Sequence, residues 1–254
     1  MDDGPRAVVI DVSLQSTRIG FAGGSCTICP PLPVDDSPAQ TWIDDMATAL
    51  SMLCEQAGGI QLEGLPICVT ESIEQVNGPS ADRERWVQWL FEKANAHSLY
   101  LLPRPQAALF GAGQSTGLVI DLTQVVPIYE GFALYHAVKQ LGASQTVASI
   151  AFDAVFTCDC DIWKDLLSSV VVCGRDGEVA DALVAAVQTE LTAAVADRHP
   201  AFNAPKVRGS EHGQADAWHG ASTFASLEPG NRNWIRRSDF DDCGAAVVHQ
   251  KCPC

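Results

Sequence analysis

Short apolar runs rich in β-branched residues recur along the chain and alternate with helical patterns. The runs are residues 7–10, 65–69, 99–102, 118–120 and 170–173. Each is followed within a few residues by turn-forming residues or by helical spacing, which predicts α/β layers. A chain of 254 residues is near the upper limit for one hydrophobic core, so it should form one large domain or two small ones.

Three helices are predicted from capping residues and apolar spacing. The first begins at Ser37 and Pro38, where a capping serine precedes a proline at the first helical position. The second begins after Pro79 and Ser80, and the third carries apolar residues four apart between Val179 and Leu191. The stretches 30–36 and 209–217 have the composition of connectors.

Charge and hydropathy exclude two classes of partner. Sixteen basic and thirty-one acidic residues give a formal charge of −15, which repels a nucleic-acid backbone. No apolar run approaches the roughly 20 residues of a membrane helix, so no membrane insertion is expected. The first residues are acidic where a secretory signal would be basic, which favours an intracellular protein.

Ten cysteines raise the question of a zinc site. Cys26 and Cys29 have the spacing of half a site, and Cys252 and Cys254 with His249 could supply the other half. The alternative is a set of small, buried thiols in a reducing compartment. One close pair without a matched second pair favours the alternative, and no metal site is predicted.

The sequence contains no recognisable catalytic motif. There is no Gly-x-Ser-x-Gly elbow, no His-Glu-x-x-His helix and no glycine-rich P-loop. The acidic run 239–242 is expected to be a solvated face near a helix end. We therefore predict a protein that is not an enzyme.

A series of motifs, all in one order, resembles the actin family. The segment 127–134 is close to the segment of actin that crosses between its two halves. The other matching motifs are 7–11, 20–23, Thr70-Glu71, Asp82-Arg83-Glu84, Gln106-Ala107, 116–121, 158–166, Trp218, 225–227, Trp234-Ile235, 248–249 and 251–252. Their number and order make the resemblance specific.

The resemblance implies an α/β, actin-like (ribonuclease H-like) two-domain fold that lacks the two outer subdomains. Only the connector 30–36 stands where actin inserts its first outer subdomain, and residues 141–143 run almost directly toward Cys158 where it inserts the second. The first inner domain would comprise residues 1–111 with 218–254. The second would comprise residues 112–217.

Actin-family proteins hold ATP between their halves in two glycine-bearing hairpins. Glycine is needed there because backbone N–H groups must approach phosphate oxygens closely. In the first hairpin, Ser13 and Gln15 replace both expected glycines, and Arg18 stands at the lysine position. An arginine fork is not a geometric substitute for lysine. The resemblance therefore implies a degenerate nucleotide site.

The rest of the expected nucleotide cleft is also altered. The second hairpin, 121–127, is short and contains no glycine, and the loop that contains Gly174 is shortened. Asp11, Gln106 and Asp121 persist at positions that in actin hold the waters of the metal and orient the attacking water. Without the phosphate cradle, we expect them to bond to one another and to water. No cofactor is predicted.

The function expected from this resemblance is a nucleotide-free structural subunit of a larger protein assembly in the cytoplasm or cytoskeleton. Its partners would be protein subunits, with actin or another actin-related protein among the candidates. The alternatives are an ATP-binding actin-like cytoskeletal protein and a soluble binder of actin-binding proteins. The predicted protein-binding face comprises Tyr129, Glu130, Gly131, Phe132, Trp234 and Ile235.

Overall fold

The structure, a computed structural model, describes residues 5–13, 16–31, 39–72, 80–121, 124–141, 145–173, 181–210, 215–227 and 233–252. The chain divides into two compact units, Met1–Arg104 with Ala221–Cys254, and Pro105–Gly220. The boundaries expected from the sequence, at residues 111 and 218, lie a few residues from these, at the end of one helix and inside another.

Strands and helices alternate along the described segments. The strands are β1 (Val8–Val12), β2 (Thr17–Phe21), β3 (Cys26–Cys29), β4 (Pro66–Glu71), β5 (Ser98–Pro103), β6 (Gly117–Asp121), β7 (Gln124–Tyr129), β8 (Phe132–Ala133), β9 (Lys139–Gln140), β10 (Val170–Val172), β11 (Val207–Gly209) and β12 (Ile235–Arg236). The α-helices are α1 (Ala39–Gln56), α2 (Ser80–Glu92), α3 (Arg104–Gly111), α4 (Val147–Thr157), α5 (Trp163–Ser168), α6 (Asp181–Arg198), α7 (Asp216–Leu227), α8 (Arg237–Cys243) and α9 (Val248–Lys251).

A six-stranded mixed sheet forms the centre of the first unit, in the order β12-β5-β4-β1-β2-β3. Strands β1, β4 and β5 are parallel to one another, whereas β2, β3 and β12 join by antiparallel pairing. Every residue of β1 and β4 is buried. Continuous burial of this kind means that both faces of the sheet are covered, which places the carboxyl ends of β1 and β4 in the interior.

Helices pack on one face of this sheet and complete its core. Trp86, Leu90 and Phe91 lie on one side of α2 because Leu90 and Phe91 follow Trp86 by four and five residues, and all three are buried. They join Ile10 and Leu99 from the strands in one apolar cluster. Residues from α1 and α9 enter the same cluster, so the end of the chain packs with its beginning.

The second unit is built around another mixed sheet, in the order β11-β10-β6-β7-β8, with β9 also paired to β7. Strands β6, β10 and β11 are parallel, and β7 runs antiparallel to β6. Helices α4, α5 and α6 supply its apolar cluster, which includes Phe152, Leu166 and Leu191. Thr146 caps the start of helix α4: its hydroxyl accepts a hydrogen bond from the Ser149 N–H at 3.2 Å.

Helix α6 buries only a narrow stripe. Val187, Leu191 and Val195 lie four residues apart and are buried, while most of the remaining positions are solvent-accessible.

Among the helices that the structure describes, none combines the length and apolar character needed to cross a membrane.

The five predicted strands are confirmed as β1, β4, β5, β6 and β10. The second predicted helix is α2, which begins at Ser80 and so one residue earlier than predicted, and the third is α6; Ser37, Pro38 and Val179 lie outside the described residues. The predicted connector 209–217 is shorter than expected, because Asp216 already belongs to α7. Most of the connector 30–36 also lies outside the described residues.

Candidate functional site

The first hairpin, between β1 and β2, closes its turn with its own hydrogen bonds. Val12 pairs with Thr17, and the Ser13 N–H donates to the Ser16 carbonyl oxygen at 3.1 Å. The Ser13 hydroxyl donates to the same oxygen at 2.8 Å and accepts from the Ser16 N–H at 3.2 Å. Two backbone amides of the turn are therefore already bonded. Gln15 lies outside the described residues.

Asp11 lies near the carboxyl end of β1 and is fully buried. Its two cross-strand neighbours are Arg18 on β2 and Thr70 on β4. The Thr70 hydroxyl donates to Asp11 Oδ1 at 2.6 Å, and Arg18 Nη1 lies 3.5 Å from Asp11 Oδ2. Strand pairing alone therefore brings a hydroxyl and a guanidinium to this carboxylate.

A second arginine, which the sequence analysis missed, also contacts Asp11. Arg104 Nη1 donates to Asp11 Oδ1 and, at 3.0 Å, to the Val12 carbonyl oxygen. Arg104 directly follows β5, and β5 is parallel to β4 and β1. The backbone of Arg104 therefore lies at the edge of the sheet where β1 ends. The position of Arg104 directly after an apolar run that predicts a strand is the sequence signal that could have identified it. The sequence analysis instead assigned a role to Gln106, which is buried in the second unit.

The second hairpin, between β6 and β7, has a very short connection between its paired strands. Asp121 pairs with Gln124, which leaves only Leu122 and Thr123 between them, and these two lie outside the described residues. Asp121 is partly exposed. Gly174, the glycine of the third predicted loop, also lies outside the described residues.

The residues of the first hairpin do not fit the metal-bound nucleotide that the resemblance implies. Phosphate oxygens need unpaired N–H donors, but the N–H groups of Ser13 and Ser16 bond within the turn. A metal ion needs accessible carboxylate oxygens, but Oδ1 of Asp11 already accepts from Arg104 and Thr70. Two guanidiniums beside one carboxylate also repel a further cation.

Part of the predicted protein-binding face forms a rigid, exposed turn between β7 and β8. Tyr129 pairs with Phe132, and the two residues between them have positive φ, 49° at Glu130 and 85° at Gly131. This is the backbone of a type I′ turn. Glu130 N–H donates to the Thr116 hydroxyl at 2.9 Å, and Gly131 N–H donates to the Ser115 carbonyl oxygen at 2.6 Å. Phe132, the first residue after the turn, is 53% exposed.

The other two residues assigned to this face, Trp234 and Ile235, require a correction. Both are fully buried in the first unit. The ring of Trp234 packs against Tyr100 and Phe224 at centroid distances of 5.9 and 6.3 Å. Ile235 pairs with Leu99 on β5 and belongs to the core. Ile235 lies in the short strand β12 at the edge of the sheet, and Trp234 directly precedes that strand, so neither residue offers a contact surface.

The end of the chain is held by a buried ion pair that the sequence analysis did not predict. Arg83 Nη2 and Nε donate to the two Glu71 carboxylate oxygens at 2.8 and 3.0 Å, and Nη2 also donates to the Cys252 carbonyl oxygen at 2.8 Å. Burial raises the pKa of Glu71, and the neighbouring Arg83 offsets this only in part. The pair thus ties β4, α2 and the segment after α9 together.

The cysteines proposed as zinc ligands do not converge. Cys26 and Cys29 lie three residues apart on β3, which places them on opposite faces of the strand. Cys252 accepts a hydrogen bond at Sγ from a strand N–H, and His249 Nε2 lies 3.1 Å from a Glu84 carboxylate oxygen. Within the described parts of the chain, no three His, Cys, Asp or Glu side chains are grouped so that they could hold a metal ion. Cys254 lies outside them.

The sequence matches the family model described as Actin over residues 31–144 and 139–253. The match includes β4 to β12 and the β7–β8 turn, and it begins after the first hairpin. It confirms the resemblance, and with the two mixed sheets and their flanking helices it confirms the predicted α/β, actin-like fold class.

Proposed function

The chain belongs to the actin family, and we propose that this member serves as a nucleotide-free structural subunit of a larger protein assembly. On this proposal it is not an enzyme and carries no cofactor. Its partners are protein subunits, with actin or another actin-related protein among the candidates. It acts in the cytoplasm or on the cytoskeleton, without binding nucleic acid.

The observation that carries the nucleotide-free part is the closed turn of the first hairpin. The N–H groups of Ser13 and Ser16 are satisfied inside the turn. Binding a phosphate there would require breaking these bonds, and a buried polar group left without a partner costs about 1–3 kcal/mol. A bound nucleotide would have to offset that cost in addition to the repulsion described above for its metal ion.

The β7–β8 turn supports the protein-binding part. Anchored aromatic side chains at the surface are typical centres of protein interfaces, because little conformational entropy is lost when they are buried. Phe132 meets this description, since hydrogen bonds at Glu130 and Gly131 fix the turn that carries it. A subunit without the outer subdomains would present one such face and lack its complement, so it would not propagate a filament.

The nucleotide-free part is tested by thermal unfolding of the purified chain with Mg²⁺ and ATP or ADP. A ligand at a hundredfold excess over its Kd stabilises the folded state by about 2.7 kcal/mol. We expect the Tm to stay the same with either nucleotide. A reproducible rise with ATP would favour the alternative function, an ATP-binding actin-like cytoskeletal protein.

The assembly part is tested in the native source with Phe132→Asp. We expect the unsubstituted protein to elute in size-exclusion chromatography with light scattering at a mass well above 27.1 kDa, and Phe132→Asp to elute near the monomer mass with unchanged circular dichroism. Leu227→Asp is the matched control, because Leu227 is 76% exposed but lies far along the chain from the turn. A monomeric unsubstituted protein, or full retention of Phe132→Asp, would count against the proposal.

A further inference from the structure

The positive charge next to the Asp11 carboxylate exceeds its single negative charge. One buried carboxylate faces two guanidiniums, from Arg18 and Arg104, and also accepts from Thr70. Arg18 is nearly as buried as Asp11, whereas the Arg104 side chain is 24% exposed. Arg104 therefore closes the solvent side of the cluster, where a soluble cation would have to enter.

The atoms that Arg104 contacts have the chemistry of a cation site. Its Nη1 bonds to Asp11 Oδ1 and to the Val12 carbonyl oxygen. The Thr70 hydroxyl lies 2.6 Å from that same Oδ1. A carboxylate, a backbone carbonyl and a hydroxyl are oxygen ligands of the type that Mg²⁺ and Ca²⁺ prefer. The guanidinium uses the first two as hydrogen-bond acceptors.

We propose that Arg104 is a built-in cation of this hairpin. Its guanidinium supplies to Asp11 and Val12 the positive charge that a divalent metal ion would otherwise supply, and so holds the end of β1 in place without a ligand. The inference rests on the proposed nucleotide-free function. It makes Arg104 a positioning residue, which acts through Asp11 on the conformation of the first hairpin.

The test compares four purified full-length proteins: wild type, Arg104→Gln, Asp11→Asn and the double variant. Arg104→Gln removes one guanidinium and its two hydrogen bonds but leaves Arg18 beside Asp11, so we expect it to lower the Tm by about 3–6 °C. The double variant should lose less than the sum of the two single-variant losses, because both single variants break the same contact between Arg104 and Asp11. Arg104→Lys, which keeps the charge, should lose less than Arg104→Gln.

A readout with Mg²⁺ separates a built-in cation from an ordinary structural arginine. Millimolar Mg²⁺, compared with EDTA, should raise the Tm of Arg104→Gln by at least about 2 °C. It should leave the wild type and the double variant unchanged. Arg208→Gln is the matched control, because Arg208 also donates to a backbone carbonyl oxygen, at 3.0 Å, and no ion pair of its side chain is found in the described residues.

Two results would overturn the proposal: single-variant losses of Tm that add up to the loss of the double variant, or an Arg104→Gln protein whose Tm does not change with Mg²⁺. If Arg104→Gln does not fold, the same four-protein comparison is made with Arg104→Lys in its place, and losses that simply add then overturn the proposal. All these measurements are made without nucleotide. Binding of ATP by the wild type would therefore refute the proposed function while the coupling between Arg104 and Asp11 is judged separately.

Discussion

Replacing Gly220 with alanine tests how closely helices α3 and α7 pack in the second unit. A methyl group at Gly220 would overlap the carbonyl oxygen of Ala107. It would also lie 2.5 Å from the carbonyl carbon of Ala107 and 2.7 Å from the backbone nitrogen of Gly111. All three are backbone atoms, so no side-chain rotation can relieve the contact. The two helices would have to separate.

Two free-energy terms of opposite sign decide the outcome. Alanine inside a helix stabilises it relative to glycine by about 0.5–1 kcal/mol. Overpacking costs about 1–3 kcal/mol, and the upper part of that range is expected here because helix backbone must move. The net result is a destabilisation of about 2 kcal/mol. For a chain of this size it lowers the Tm by about 4–8 °C.

The measurement is thermal unfolding by calorimetry together with urea unfolding followed by circular dichroism. Gly111→Ala is the graded control, since its methyl group would lie 2.9 Å from the Asp216 carbonyl oxygen and 3.3 Å from the Gly220 nitrogen. It should lose less than Gly220→Ala. A Gly220→Ala protein that is as stable as the wild type, or more stable, would show that helix propensity alone acts and would refute the reasoning.

Two further predictions concern Glu71 and Glu130. Because burial raises the pKa of Glu71 above its ordinary value of 4.5, its protonated form stabilises the folded state below that pH, and this contribution is lost as the pH rises through the folded pKa. The unfolding free energy of the wild type relative to Glu71→Gln should therefore fall from pH 4.5 upward in urea titrations, and a constant difference would contradict this. Glu130→Asn should raise the unfolding free energy by up to about 1 kcal/mol, because asparagine suits the positive φ of a type I′ turn before Gly131. A loss of stability on urea unfolding would argue against that turn.

The apolar runs predicted the strands well because burial acts on each strand locally. Residues 8–12 and 66–71 are buried along their whole length, and a fully buried strand reads as a continuous apolar run in the sequence. The start of α2 was predictable to within one residue from a different local signal, the proline and serine at positions 79 and 80. The family followed from motifs spread over most of the chain, and the match over residues 31–253 bears this out.

The candidate site was harder to predict because it depends on where side chains meet. A motif identifies Trp234 and Ile235 as related to a binding segment, but both are buried. Ile235 is buried through the pairing of β12 with β5, and Trp234 through its packing on neighbouring aromatic rings. Likewise, the resemblance to actin assigned a role to Gln106 by its position in a motif. The contact with Asp11 is made by Arg104, because β5 ends there, at the edge of the sheet where β1 also ends.

Ser13 shows why the loss of a glycine has two consequences of different kinds. The sequence predicts the first, a β-carbon where close approach to a phosphate requires none. The second depends on the hydroxyl, which donates to the Ser16 carbonyl oxygen and accepts from the Ser16 N–H. Serine thus removes the space for a phosphate and also replaces its hydrogen bonds. Arg104 and Arg18 likewise offset the charge of Asp11 from inside the first unit. A hairpin of that kind can keep its fold without a ligand, which is the property that a permanent structural subunit needs.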